Sequence, residues 1–509
     1  MKYYRLILIL FFCFSYSNIT TSHSGYTNLY AINRIDDGSV IKLPFRLLSY
    51  DLNINYMDFS INAKWGLEHK IKSFNTNQPF SDLAYDLISP DNVDYKGAFR
   101  EYYLSYFPSF GEIKMGKQIH AWGVTDVSSP IDILNPIDYY YLFTDTDETK
   151  IGRESISLNL YYGIPELLFD INNIWPELVI DKLLIPKNHI KIELILMPNH
   201  IVNNIPNNDP EFPITLPASV QNYQFLDVDN PIEYGASIQT SSDNMDWTFY
   251  YFSGYDRNFN LYGANVFSDE FDVNTVTDTI FSYRKTEMYA LSNVSFIGDA
   301  TLRSDLAYFN TDAGSQSISD RAYYGQDPIS EFLNFSNNIA SSYFNISGQY
   351  YQYNIQLEYP LPFDIDFTSQ IFGYEKINIK GDVVDVALTN FEIYLDGKDF
   401  FYPGMGSSMA TLAKNGLLIN LTKTIWDDTL EFQFSNLLDT QDNGQLTQLK
   451  LTYNIIEDLN FSLLYYKGKG NQSKYADNPN TDNIDESLLY PFNAMEDFSH
   501  IRAQLQYFF

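Results

Sequence analysis

The chain has 509 residues, 64 acidic against 32 basic, and a formal net charge of −32. Such acidity argues against binding nucleic-acid phosphates, and a single cysteine, Cys13, excludes disulfides, thiolate metal sites and thiol catalysis in the chain beyond it. The 42 tyrosines and 38 phenylalanines argue against disorder and must be buried or exposed to lipid somewhere.

Residues 1–24 read as a secretory leader. Lys2 and Arg5 precede the apolar run Leu6–Phe14, and small residues follow at Ser15, Ser17, Ser22 and Ser24. Cleavage is expected before Gly25, with Asn18 as the alternative. Phe12 ahead of Cys13 does not suit a lipoprotein. No later stretch offers the apolar length of a membrane helix. No composition shift divides residues 25–509, so they are expected to form one domain, too close to strand two for an N-terminal plug.

Apolar and polar residues then alternate along the chain with the period of a β-strand. The alternation predicts strands over 25–34, 41–52, 55–68, 97–107, 110–118 and 154–162. It continues over 189–198, 233–241, 245–254, 283–297, 299–310 and 348–360. The last six are 364–375, 409–422, 427–438, 446–457, 459–468 and 499–509. In the clearest example Tyr351, Tyr353, Ile355, Leu357 and Tyr359 interleave with Gln352, Asn354, Gln356 and Glu358. Segments this long suit tilted membrane crossings, whereas strands of soluble proteins are shorter. In lipid every backbone polar group must be paired, which a closed sheet achieves. The expectation is an all-β, transmembrane antiparallel barrel of 16–18 strands, best read as eighteen.

Connections alternate in length. Short turns are expected near 53–54, 108–109, 242–244, 298, 361–363, 423–426 and 457–459, and long ones at 69–96, 199–232, 255–282, 311–347 and 469–498. Short turns mark the periplasmic side. Segment 163–188 breaks the rule, being long on the short side. The final strand stops at Phe509 with Tyr507, Leu505, Ala503 and Ile501 at every second position before it. This resembles the assembly signal of bacterial outer-membrane proteins, and implies recognition by the barrel-assembly machinery through Tyr507 and Phe509.

The most distinctive stretch is Gly116-Lys117-Gln118-Ile119-His120-Ala121-Trp122-Gly123-Val124-Thr125-Asp126, followed by Asp132, Asn135, Pro136 and Asp138. Gly123 permits unusual backbone geometry, Asn-Pro favours a turn, and Trp122 needs a partner for its N–H. Such a loop can fold inward and form a constriction whose acids Asp126, Asp132 and Asp138 would disfavour anions. It reads equally as a structural tether on the barrel wall.

The stretch resembles a family of uncharacterised proteobacterial outer-membrane barrels, a domain of unknown function carrying G-[RK]-Q-x-x-x-W-G and then D-x-x-N-P-x-D. Gly116, Lys117, Gln118, Trp122, Gly123, Asn135, Pro136 and Asp138 match; Leu196-Met197-Pro198 matches in part, departing at Asn199. The resemblance covers about residues 110–200. It implies export or lipid traffic beside an inner-membrane transporter, with no substrate specified.

The sequence therefore points to an outer-membrane channel or export conduit for small solutes or lipophilic molecules, in contact with membrane lipid and lipopolysaccharide. Asp58, Lys64, Arg303, Asp305, Glu358, Lys450 and Arg502 are expected to face the lumen. The alternative is a surface-binding or structural barrel plugged by a loop. No catalytic motif, cofactor site or metal site is read: neither H-E-x-x-H nor G-x-S-x-G occurs.

Overall fold

The computed structural model describes residues 19–71, 93–142, 149–162, 189–206, 209, 211–213, 223–242, 244–268, 274–314, 339–388, 391–470 and 491–509. The first strands are β1 (Thr20–Arg34), β2 (Phe45–Tyr56), β3 (Phe59–Ile71), β4 (Val93–Tyr106), β5 (Gly111–Gln118), β6 (Arg153–Tyr162), β7 (His189–Met197) and β8 (Tyr223–Phe225). Next come β9 (Glu233–Ser241), β10 (Met245–Tyr255), β11 (Asn260–Ser268), β12 (Asn274–Ser282), β13 (Lys285–Ile297), β14 (Ala300–Asp312), β15 (Ile339–Tyr343) and β16 (Ser347–Leu361). The chain ends with β17 (Ile365–Lys380), β18 (Val383–Leu388), β19 (Phe391–Asp396), β20 (Asn415–Ile425), β21 (Leu430–Asp439), β22 (Gln445–Ile456), β23 (Leu459–Lys469) and β24 (His500–Phe508).

Eighteen of these strands form one sheet, each pairing antiparallel with its neighbours in chain order. β24 pairs with β1 from Tyr26↔Phe508 to Arg34↔His500, so the sheet closes. The seam ends on a reciprocal pair: Gly25 N–H donates to Phe509 O at 2.9 Å, and Phe509 N–H to Gly25 O at 3.1 Å. Among the described residues no edge strand is left in this ring, which is the fold's answer to the backbone's hydrogen-bonding demand in lipid.

The distribution of side chains is inverted relative to a soluble protein. Leu104, Met115, Ile238, Phe249, Leu306, Ile355, Ile371 and Leu449 are exposed on the outside, while Ser49, Ser157, Thr248, Gln352, Asn354 and Gln356 are buried inside. The alternation seen in the sequence thus separates an oily exterior from a polar interior, as in a transmembrane barrel.

Every expected strand is present, with four adjustments. β1 starts at Thr20, five residues before the expected mature start, and pairs with β2 from Thr20↔Asn55 onward. A cut before Gly25 would remove part of this strand, whereas a cut before Asn18 spares it. The turn expected at 53–54 lies at Met57–Asp58 instead. Met57 takes a left-handed φ of 50°, and Asn53 and Asn55 belong to β2. The first residues of the strand expected over 409–422 belong instead to the 3-10 turn Ser408–Thr411 before β20. Four connections between the expected strands carry further strands outside the barrel: β15, β11, β12 and β8 form a small sheet, and β18 and β19 a hairpin. The expected long connection 163–188 lies outside the described residues.

One end of the barrel has tight turns, at Met57–Asp58, Gly298, Phe363–Asp364 and Trp426–Asp428, each using left-handed backbone. The other end carries the long segments, among them 119–152, which joins β5 to β6.

Candidate functional site: a loop folded across the barrel interior

Segment 119–152, described over 119–142 and 149–152, leaves the barrel end at Gln118 and turns inward. Asn135 ties its neck. The Asn135 Nδ2 donates to the carbonyls of Gln118 (3.0 Å) and Ile151 (2.8 Å), and its Oδ1 accepts from His120 N–H at 2.6 Å. Gln118 is held in turn by Ser155 O and Ser157 Oγ on β6. Ile151 N–H donates to Pro136 O at 2.8 Å. Asp138 caps the short 3-10 turn Tyr139–Tyr141, accepting from Tyr140 N–H, and also accepts from Asn204.

The loop body packs on the inner wall. Trp122, Ile131, Ile133 and Leu134 are buried against Ile195, Met197, Tyr250, Phe252, Met288 and Phe309 of β7, β10, β13 and β14. Each such side chain contributes about 1.5–3 kcal/mol on burial. Trp122 donates its indole N–H to Glu193 on β7 at 2.9 Å and meets the Tyr250 ring at 5.1 Å. Gly235 on β9 lies under the indole: a Cβ there would come within 2.6 Å of it.

The tip is fixed to the far wall. Asp305 on β14 accepts from Val124 N–H, from Thr125 N–H and Oγ1, and from Ser129 Oγ at 2.7–3.1 Å. Ser292 on β13 completes its shell. Gly123 makes the turn into this anchor with φ +86°, and any Cβ would strike Ser129 Oγ at 2.0 Å. Asp126 and Gln356 on β16 exchange two hydrogen bonds, 2.9 and 2.6 Å. Ser128 reaches Ser407 at 2.5 Å. Ser407 belongs to a second infolded segment, which is hung on Tyr350 and Gln352 of β16 by the carbonyl of Met405. A third contribution is the helix Pro491–Asp497, whose Phe492 and Met495 are buried in a cluster with Leu464 and Tyr466 of β23.

Beneath the loop neck lies a buried ionic cluster. Glu233 accepts from Arg153 at 2.7 Å and from Arg257 at 2.9 Å, and His200 Nδ1 lies 2.9 Å away. Both arginines also donate to the loop carbonyl of Leu134, and Arg257 to that of Ile133. Burial pulls the His200 imidazole below its usual range despite its Glu233 contact.

The expected site residues divide clearly. Gln118, Trp122, Gly123, Asn135 and Pro136 shape and seat the loop. Of the three acids assigned to a constriction, only Asp126 is exposed in the interior. Asp132 lies 2.5 Å from Lys150 and also accepts from Trp122 N–H, with burial raising its carboxyl against the pull of the lysine. Asp138 is a turn cap, its carboxyl likewise raised by burial. Lys117 is not in the constriction. It follows Met115 on the outer face, opposite Glu154, and its Nζ donates to Phe99 O at 2.8 Å. Gly116 takes φ +137° under Tyr102 O of β4.

Among the expected lumen residues, Arg303 and Glu358 pair at 2.6 Å. Lys64 pairs with Asp51 at 3.8 Å. Lys450 lines an interior cavity. Asp305 faces inward as an anchor, filled by the loop. Arg502 points inward and is buried. Asp58 does not face the lumen: it is an exposed turn residue whose carbonyl accepts from Phe107 N–H. The ionic cluster of Arg153, Glu233 and Arg257 was not foreseen. Its local signals are charges at the ends of alternating strands: Arg153 opens β6, Glu233 opens β9 and Arg257 follows β10.

The interior is not filled everywhere. A cavity on the arc β20–β24 is lined by Thr424, Glu431, Lys450, Thr452, Asn454, Asn460, Ser462 and Gln506, and reaches Asp428 in a tight turn. It therefore opens at the short-turn mouth.

No family model and no curated protein matches the chain. Solved barrels are similar in chain path at low identity. OccK8 (OprE) of Pseudomonas aeruginosa is 9% identical with a TM-score of 0.42, over 96% of this chain and 97% of that one. OccAB2 of Acinetobacter baumannii is 10% identical at 0.40, over 96% and 98%. The outer membrane channel DcaP of Acinetobacter baumannii is 9% identical at 0.37, over 96% and 97%. The barrel itself stands on its own strand pairing.

Proposed function

We propose that this chain is an outer-membrane channel for small solutes, narrowed by the infolded 119–152 loop. The observation that carries the reading is the interior: a polar wall around a cavity open at the short-turn mouth, inside a cylinder whose outside is apolar. A barrel of this strand number has room for an aqueous path unless loops fill it. The loop divides that room. It crosses from β5–β6 to β14–β16 and covers the wall between them; on the arc β20–β24 the long-loop half is packed under Phe492 and Met495 with Leu418, Leu437, Leu446 and Leu464, and the short-turn half is polar and accessible.

Kinship with the motif-bearing barrels belongs to the same proposal. In its support, Gln118, Trp122, Gly123 and Asn135 each have a defined task in seating the loop. Coupling to an inner-membrane transporter is a further element of that kinship.

The test is single-channel recording in planar bilayers with purified protein. Stepwise current supports the channel. A correctly folded barrel that passes no current supports the rival, in which the three infolded segments plug the lumen.

A further inference from the structure

We infer that the solutes this channel passes best are uncharged and polyhydroxylated, sugars or polyols rather than ions or charged metabolites. The inference rests on the channel reading and specifies its cargo.

The accessible short-turn end of this arc is built mostly from carboxamides and hydroxyls. Asn454, Asn460, Gln506, Thr424, Thr452 and Ser462 line the open cavity, together with the charged Asp428, Glu431 and Lys450. Around the closure the same chemistry continues. Gln504 reaches Asn28 at 3.4 Å, and Asn53 donates to Asn62 at 2.7 Å, with Ser60 joining both. Each carboxamide presents a donor and an acceptor, and each hydroxyl does both. A polyol meeting this wall exchanges water hydrogen bonds for equivalent ones at every step, in either orientation. An ion meeting the same neutral groups is compensated less fully than by its own hydration shell.

On the neighbouring wall, β2, β3 and β5, charges are matched in close pairs. Lys64 lies 3.8 Å from Asp51, Lys114 3.2 Å from Glu112, and Arg46 3.6 Å from Glu68. In the open cavity Lys450 stands with Glu431 and Asp428. The whole chain carries twice as many acids as bases, so the pairing on β2, β3 and β5 is a local property of that wall. Close pairs of opposite sign leave little net field to attract or reject an ion.

Proteoliposome swelling tests this with three solutes of one skeleton: glucose, gluconate and glucosamine. Glucose is expected to enter several-fold faster than either charged partner. Equal or faster entry of gluconate or glucosamine overturns the inference while leaving the channel intact. No swelling with any solute, glycerol included, overturns the channel reading instead. Two variants probe the pairing. Asp51→Asn removes the carboxylate beside Lys64 and is expected to raise gluconate entry relative to glucose. Lys114→Gln removes the cation beside Glu112 and is expected to raise glucosamine entry. If heat-modifiable, folded barrels of both variants keep the parent order of rates, pair matching does not set selectivity and the inference falls.

Discussion

Thr125 meets Asp305 twice, through its backbone N–H at 3.0 Å and through its hydroxyl at 2.7 Å. The residues are 180 positions apart, one at the tip of the infolded loop and the other on the opposing wall. Hydrogen bonds to a charged group are worth about 1.5–3 kcal/mol each, and Asp305 accepts several from the same short stretch.

Replacing this anchor should free the loop tip without opening the barrel. Asp305→Ala is expected to increase single-channel conductance and current noise, while the folded band in heat-modifiability gels persists. Unchanged conductance would show that the loop tip does not limit the bore.

The neck behaves differently. Asn135→Ala removes three hydrogen bonds at once and leaves the His120 N–H and the Gln118 and Ile151 carbonyls short of a partner. Each orphaned group costs about 1–3 kcal/mol. The whole loop, rather than its tip, should loosen. Limited proteolysis of folded protein should then cut within 119–152 faster than in the parent; identical cleavage rates would count against the clamp.

Glu233→Gln removes the charge that compensates Arg153 and Arg257 in a buried site. Breaking such a pair by losing one partner costs about 3–5 kcal/mol. The midpoint of urea unfolding should fall clearly. Conductance should change too, because both arginines also hold loop carbonyls. A midpoint within error of the parent would refute this role.

His120 gives the loop a pH dependence of defined sign. Its Nε2 lies 2.9 Å from Ser155 Oγ in a buried setting. Burial, helped by Arg153, Lys114 and Lys150, lowers its pKa from 6.5 to about 3. The folded state therefore keeps it neutral, while the unfolded chain takes up a proton below pH 6.5. Stability from this group is complete above that pH and is lost as the pH falls toward 3, by up to ~1.4 kcal/mol per unit. Conductance should become unstable on acidification, and His120→Gln should blunt that response. An equal acid response in parent and variant would exclude His120 as its source.

Closure of the cylinder depends on a glycine. A Cβ at Gly25 would sit 2.3 Å from Ser49 O and 2.8 Å from the Phe509 ring. Gly25→Val should lower the folded fraction after refolding into detergent, more than Thr27→Val two residues away. Equal yields would show that the seam tolerates the added bulk.

Strands are legible in the sequence because lipid and water make opposite demands on successive side chains. Tyr351 to Tyr359 shows this directly: its apolar positions lie outside and its amides inside. The turn after β2 is hard to place because Asn53 and Asn55 look like loop residues, whereas inside a wet barrel they are ordinary strand residues. Met57, which makes the turn, carries no glycine, proline or asparagine signal. The inward course of 119–152 is readable from Gly123, Trp122 and Asn135. Its partners are not, since Glu193, Asp305 and Gln356 lie 71 to 230 residues from the groups they bind. Asp132 reads as a lumen charge, although Lys150 of the same loop pairs with it.

The contacts between Ser128 and Ser407, and between the loop tip and β14 and β16, join pieces of chain that meet only after most of the wall exists. The tip of the infolded loop is therefore fully fixed only when β14, β16 and the segment holding Ser407 are in place, although its body already has seats on β7 and β10.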